Sequence, residues 1–328
     1  MRPTFHRGLS GAASWVILGA MLAACSDPSA ACPPCASAAA AAGATATASA
    51  GGVSAETTSG GVSSASAQDP SIDLGAELSF VKGGKTVRKV RLGELLGEVK
   101  EERLAVYDPY YNREKTFRGL PLAEVVRRGF QGSDGALPAQ EYVLRARDGY
   151  TVPMRGSRVF EDGAYVAFAD VDVPGWEPIG QQRANPGPFY LVWRKKEQQS
   201  LETHPRPWQL ASIEIARFED LFPHTVPSEG KAAAARGFGI FKEQCVHCHA
   251  INREGGRVGP ELNVPKSIVE YRPIDQIKAY VRDPMQFRYG NMPAHPFLSD
   301  TDLDDLVVYL QDMKERKHDP AQKETGKK

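Results

Sequence analysis

The feature that most constrains this chain is the run Cys245-Val246-His247-Cys248-His249, which holds two of its five cysteines. On a helix, two cysteines three residues apart lie about one turn apart, so both thiols point to the same side. A zinc site would need further cysteine or histidine ligands at a suitable spacing, and no cysteine follows Cys248. The zinc interpretation and a simple disulfide are therefore disfavoured.

The same spacing is the attachment signature of c-type haem. Two thiols add to the vinyl groups along one porphyrin edge, and the adjacent histidine reaches the iron. We therefore predict one covalent haem c bound by Cys245 and Cys248, with His249 as an axial iron ligand. Haem attachment of this kind takes place outside the cytoplasm, so an export signal is expected.

The N-terminus has the pattern of such a signal, because a short arginine-containing start precedes an uncharged, mostly apolar run. The run ends in Leu22-Ala23-Ala24-Cys25, which resembles the lipobox of bacterial lipoproteins. The resemblance implies a signal peptide over residues 1–24 and lipidation of Cys25. We therefore predict a lipid-anchored protein on the periplasmic side of a bacterial membrane, inner or outer. The alternatives are an ordinary cleaved signal and an anchor at Cys32, which lacks a large apolar residue at the matching position.

Residues 25–70 consist mainly of alanine, glycine, serine and threonine. Such a segment buries too little apolar surface to offset its ordering entropy, which predicts a flexible tether. Cys32 and Cys35 within it form a C-x-x-C pair without the helix start that a redox dithiol uses. An inert or disulfide-closed pair is favoured.

The charge balance bears on possible partners. Lys plus Arg equals Asp plus Glu, at 40 each, so the formal net charge is zero. This balance gives no reason to expect nucleic acid as a partner. The end of the chain, residues 318–328, is rich in lysine and is predicted to be disordered.

The middle domain, residues 71–227, contains short segments rich in β-branched and aromatic residues near Gly, Pro or Asp. These segments predict strands at 77–81, 142–146, 164–168 and 189–193. The segment 120–129 has apolar residues at helical spacing and is predicted as a helix that stops at Gly129. The expected fold of this domain is α+β.

Residues 228–317 resemble a class I cytochrome c domain, which implies an all-α fold. Gly237 and Phe241 match the first helix of that family, and Tyr309 matches an aromatic residue of the last helix. The last helix is expected over 299–314, with Ser299 or Asp300 as its cap. Met285 and Met313 are expected to lie in the core or on the surface.

The same resemblance implies further haem-site residues. In Gly259-Pro260-Glu261-Leu262, Pro260 and Leu262 would surround the haem, and the carbonyl of Pro260 would accept the imidazole N–H of His249. Met292, within Asn291-Met292-Pro293, matches the axial methionine of the family, and His295 is the alternative ligand. His247 is expected at the surface.

The middle domain also resembles the molybdopterin-binding domain of sulfite-oxidase-type proteins. The motifs that carry this resemblance are Arg118–Leu122, Arg147–Tyr150 and Pro186–Trp193. That family binds molybdenum through a cysteine thiolate, but no cysteine lies between Cys35 and Cys245. Molybdopterin is therefore not expected, and sulfite oxidation is not carried over. Three interpretations remain, in order of preference: a fold kept for protein contacts, a site for another small ligand, and a molybdenum site without thiolate.

These patterns favour an electron-transfer protein over an enzyme. With both axial positions filled, the iron would carry single electrons, and the middle domain would dock a redox partner protein. The alternative is an oxidoreductase in which the middle domain binds a cofactor or small substrate and passes electrons to the haem. A haem-based sensor is the third hypothesis, and it requires a labile sixth ligand.

Overall fold

The computed structural model describes residues 71–131, 136–180 and 182–321, and all of them lie in one compact unit, Ala65–Lys328. The predicted signal peptide, Cys25 and the tether with Cys32 and Cys35 lie outside the described residues, as do residues 322–328. The first part of the described chain is rich in β-structure, and the second is mainly helical. None of the helices in the described part is both long and apolar enough to cross a membrane.

The middle domain is a mixture of strands and short helices. Its strands are β1 (Glu77–Lys82), β2 (Lys85–Arg91), β3 (Glu102–Asp108), β4 (Arg113–Pro121), β5 (Glu141–Ala146), β6 (Thr151–Arg155), β7 (Ala164–Asp170), β8 (Tyr190–Trp193) and β9 (Leu210–Ile215). Its helices are α1 (Leu92–Glu98), α2 (Leu122–Phe130), α3 (Gly156–Val159) and α4 (Phe218–Leu221), with 3-10 turns at Leu137–Ala139, Lys196–Gln198 and Pro223–Thr225. A strand occupies each of the four predicted segments.

These strands form two sheets. The five-stranded sheet has the order β2-β1-β9-β5-β6, and the four-stranded sheet has the order β3-β4-β7-β8. Neighbours pair antiparallel except β1 and β9, which are parallel. Apolar side chains from both sheets share one core with α1 and α2, in which Phe80, Leu144, Val166 and Trp193 are fully buried. The order places β5 and β6, with the turn between them, at one edge of the first sheet.

The structure corrects the predicted helix over 120–129. Leu120 and Pro121 end β4, and α2 continues through Gly129 to Phe130. The helix therefore ends one residue later than the predicted stop at Gly129. Gln131, the residue after the helix, caps it and adopts a left-handed backbone conformation with φ of 46°.

The remaining helices follow the middle domain. They are α5 (Ala232–Ile240), continued by a π-turn at Phe241–Cys245, then α6 (Ile268–Tyr271), α7 (Ile274–Arg282) and α8 (Asp300–Lys314). A 3-10 turn spans Pro284–Gln286, and two-residue strands, β10 (Ala250–Ile251) and β11 (Glu254–Gly255), pair with each other. Helix α8 begins at a capping box between Ser299 and Asp302, as the sequence indicated.

Two features of this part differ from the expected domain limits. Phe218 and Phe222 precede residue 228, yet they pack in one cluster with Phe241 and Tyr309. At the other end, residues 318–321 lie against the helical part, since the His318 N–H donates to the Asn252 side chain at 3.0 Å. This bond joins the start of the predicted tail to the helical part.

Candidate functional site

Helix α5 delivers the two thiols. Its π-turn is held by a hydrogen bond from the N–H of Val246 to the carbonyl of Phe241 at 2.8 Å, and the next turn by one from the N–H of His249 to the carbonyl of Cys245 at 2.9 Å. Cys245 and Cys248 are both free thiols and partly buried. One continuous helical turn therefore carries both cysteines and the following histidine.

The thiols are held in an environment that suppresses their ionisation. Burial raises the pKa of Cys245 to about 12 and that of Cys248 to about 11. A reactive redox dithiol requires the opposite shift. Within the described residues, no three His, Cys, Asp or Glu side chains are grouped as the ligands of a metal ion would be. The zinc alternative thus finds no further ligand there.

The ring of His249 is oriented by a backbone loop. Its Nδ1 lies 2.8 Å from the carbonyl oxygen of Pro260, and burial lowers its pKa, which favours the neutral imidazole. With the proton on Nδ1 donated to this carbonyl, Nε2 keeps its lone pair for a metal. This is the arrangement that the resemblance implied for Pro260.

The loop approaches His249 so closely that a side chain would not fit. A Cβ at Gly259 would lie 2.6 Å from the imidazole Cε1, and the N–H of Gly259 is bonded to the carbonyl of Cys248 at 2.8 Å. Leu262 is partly buried against the cluster that contains Phe241 and Tyr309. The loop is therefore tied to the same turn that presents the thiols.

A carboxylate that the sequence reasoning did not single out maintains this loop. Glu261 accepts the backbone N–H groups of Asn252 and Asn263 at 3.0 and 2.8 Å and that of Arg253 at 2.8 Å. The Asn263 side chain in turn donates to Asn252 and to the carbonyl of Met313. No spacing rule marks these residues, because their partners are far apart in the chain and are mostly backbone atoms.

The two candidates for the second axial ligand lie in the same region. Met292 packs partly buried against an apolar cluster formed by Ile277, Val281, Leu298 and Leu303. His295 is 6% exposed, and its Nδ1 is a buried atom without a hydrogen-bond partner. The N–H of His295 donates to the carbonyl of Val281 at 3.1 Å, and Val281 belongs to the cluster against which Met292 packs. Met292 and His295 therefore lie beside the same helix, α7.

The residues present fit a covalently attached haem. The thiols are protonated and unpaired, the imidazole has one nitrogen committed to a carbonyl, and the side chain of Met292 lies among apolar residues. The orphaned Nδ1 of His295 indicates a missing polar partner nearby, because buried polar groups are normally hydrogen-bonded. Cys245 and Cys248 would hold the group covalently, and His249 would bind its iron.

His247 departs from expectation. It is only half-exposed, its ring lies 5.5 Å from that of Tyr150, and burial lowers its pKa to about 4. The prediction of a surface residue is wrong because the middle domain packs over this side of the turn.

Several histidine, methionine and tryptophan side chains lie outside the candidate site. His204 is buried beside Arg158 and Glu161, Met313 is fully buried and Met285 is exposed. Trp193 is buried, while Trp176 and Trp208 are partly buried.

Comparison with known proteins agrees with this geometry. Residues 234–314 match the family model for cytochrome c. This part of the chain is a cytochrome c domain, and membership of that family implies covalently bound haem c.

A curated relative extends the comparison. The chain is 34% identical over 89 residues to cytochrome c oxidase subunit 2 of Alkalihalophilus pseudofirmus. The matched stretch spans 25% of this chain and 26% of the relative. The similarity therefore concerns about a quarter of each protein.

Proposed function

We propose that this chain is a lipid-anchored cytochrome of the periplasmic side of a bacterial membrane, which carries single electrons through one haem ligated by His249 and Met292. The middle domain docks a redox partner protein. The observation that carries the proposal is the bond between His249 Nδ1 and the Pro260 carbonyl at 2.8 Å, one turn from both thiols.

The residues around the site suit electron transfer rather than substrate chemistry. When bound, haem c supplies a one-electron iron couple. Pro260 holds the imidazole of His249 in one orientation and increases its basicity. If bound to the iron, the soft thioether of Met292 would favour the ferrous state, and a second protein ligand would leave no open coordination site for oxygen.

The curated relative supports a protein as redox partner. It is named as a subunit of cytochrome c oxidase. We propose that the haem of this chain exchanges electrons with another protein rather than with a small substrate.

The full-length protein, made in a host that attaches haem c, tests the proposal. We expect haem that stays bound after denaturation, a single one-electron Nernst curve, and no binding of carbon monoxide by the native ferrous protein. Carbon monoxide binding would contradict the carrier function and favour a sensor. Stoichiometric molybdenum in the same sample would favour the oxidoreductase alternative.

Lipidation gives a separate prediction. Replacing Cys25 by Ala is expected to move the protein from the membrane fraction to the soluble fraction, because the acyl chains attach to this thiol. Fractionation followed by haem staining measures the shift. Cys32→Ala is the matched control and should stay with the membrane. Equal distributions of both variants and the wild type would refute the lipobox assignment.

A further inference from the structure

The turn between β5 and β6 lies against the loop of residues 247–257, which includes the second thiol. This turn is Arg147-Asp148-Gly149-Tyr150, one of the motifs of the middle domain. Two backbone hydrogen bonds join the turn to the loop: Thr151 N–H donates to the His247 carbonyl at 3.0 Å, and Arg257 N–H donates to the Gly149 carbonyl at 3.2 Å. Because one donor comes from each side, the contact is fixed at two points.

The shape of the turn allows this close approach. Gly149 has a φ of 91°, which side-chain-bearing residues rarely adopt, and a Cβ there would lie 2.9 Å from the Cβ of Arg257. Asp148 accepts the N–H of Tyr150 at 2.9 Å, so the turn is stabilised by its own side chain. Thr151 is 1% exposed. The residues that shape the turn therefore also make its contact with the loop.

One aromatic residue of the turn reaches the segment between the two cysteines. The ring of Tyr150 lies 5.5 Å from that of His247, which stands directly before Cys248. Together with the bond from Thr151 to the His247 carbonyl, this contact places the turn against the residues that present the second thiol.

We propose that the turn 147–151 forms part of the haem site, with the Tyr150 ring placed to cover the haem edge that Cys248 would anchor. The inference rests on the proposed covalent attachment at Cys248. An aromatic ring at this edge excludes water and lowers the local polarity, which disfavours the more highly charged ferric state. The middle domain then adjusts the reduction potential of the haem in addition to docking a partner.

Spectroelectrochemistry of the full-length haem-loaded protein tests this role. We expect Tyr150→Ala to lower the midpoint potential, because water reaches the uncovered edge. Tyr150→Phe keeps the ring and should match the wild type. Hydrogen exchange gives a second readout: the N–H groups of Thr151 and Arg257 should exchange at least tenfold more slowly in the wild type than in Tyr150→Ala.

The possible outcomes separate this inference from the proposed function. Identical potentials for Tyr150→Ala and the wild type would overturn it, and so would an equal fall in Tyr150→Phe. Rapid exchange of both N–H groups in the wild type would also overturn it, and this measurement does not depend on whether a variant folds. A haem that withstands denaturation and titrates with one electron would leave the proposed function intact in each of these cases.

Discussion

Met292→Ala is expected to leave the haem covalently attached while opening one axial position of its iron. Loss of the thioether removes the ligand that favours ferrous iron, so the midpoint potential should fall by on the order of 0.1 V or more, given that axial ligands span about 0.8 V. The ferrous variant should also bind carbon monoxide without denaturation. Absorption spectra and a redox titration of the same sample measure these effects.

The matched variant is His295→Ala. His295 is the alternative ligand, and its unpartnered Nδ1 is buried in the same region. If Met292 binds the iron, His295→Ala should keep a six-coordinate spectrum and remain closed to carbon monoxide. The reverse result, an unchanged Met292→Ala and an opened His295→Ala, would assign the ligand to His295 and contradict the proposed ligation.

Gly237→Ala is expected to destabilise the cytochrome c domain by about 3 kcal/mol, which corresponds to roughly 12–24 °C in melting temperature for a domain of this size. A Cβ at this position would lie 2.0 Å from the backbone oxygen of Asp305 and 2.8 Å from the Cβ of Tyr309. The first contact is with backbone of α8, so the two helices must separate. Thermal or denaturant unfolding followed at the haem band measures the loss.

Gly239→Ala serves as the control in the same helix. A Cβ there would meet no atom within 4 Å. Because alanine favours a helix over glycine by about 1 kcal/mol, this variant should be as stable as the wild type or slightly more so. Equal losses in both variants would mean that the helix crossing is not what requires glycine at position 237.

Local patterns predicted many elements of the fold. The four strand segments were recognisable because β-branched and aromatic residues cluster between turn-forming residues, and β5 and β8 are found where these clusters lie. Helix α8 was recognisable from Ser299 and an apolar stripe. The close packing of Phe80 on Gly129 was not predictable, because the two residues are more than forty positions apart in the chain.

The same distinction applies to the candidate site. The roles predicted for Cys245, Cys248 and His249 follow from a motif of five consecutive residues, and haem attachment requires the spacing of the cysteines and histidine within it. The roles of Glu261 and Tyr150 were not predictable, because each acts on groups brought to it by folding: backbone N–H groups for Glu261, and the His247 ring for Tyr150.

The sequence by itself therefore determined the chemistry of the site, since covalent haem attachment depends on residue types at short range along one helical turn. Only the tertiary structure decided what surrounds it. The bonds from Thr151 to His247 and from Arg257 to Gly149 join segments about a hundred residues apart, and no local pattern encodes them. They form because two β-strands present a tight turn at the edge of a sheet where the attachment loop packs.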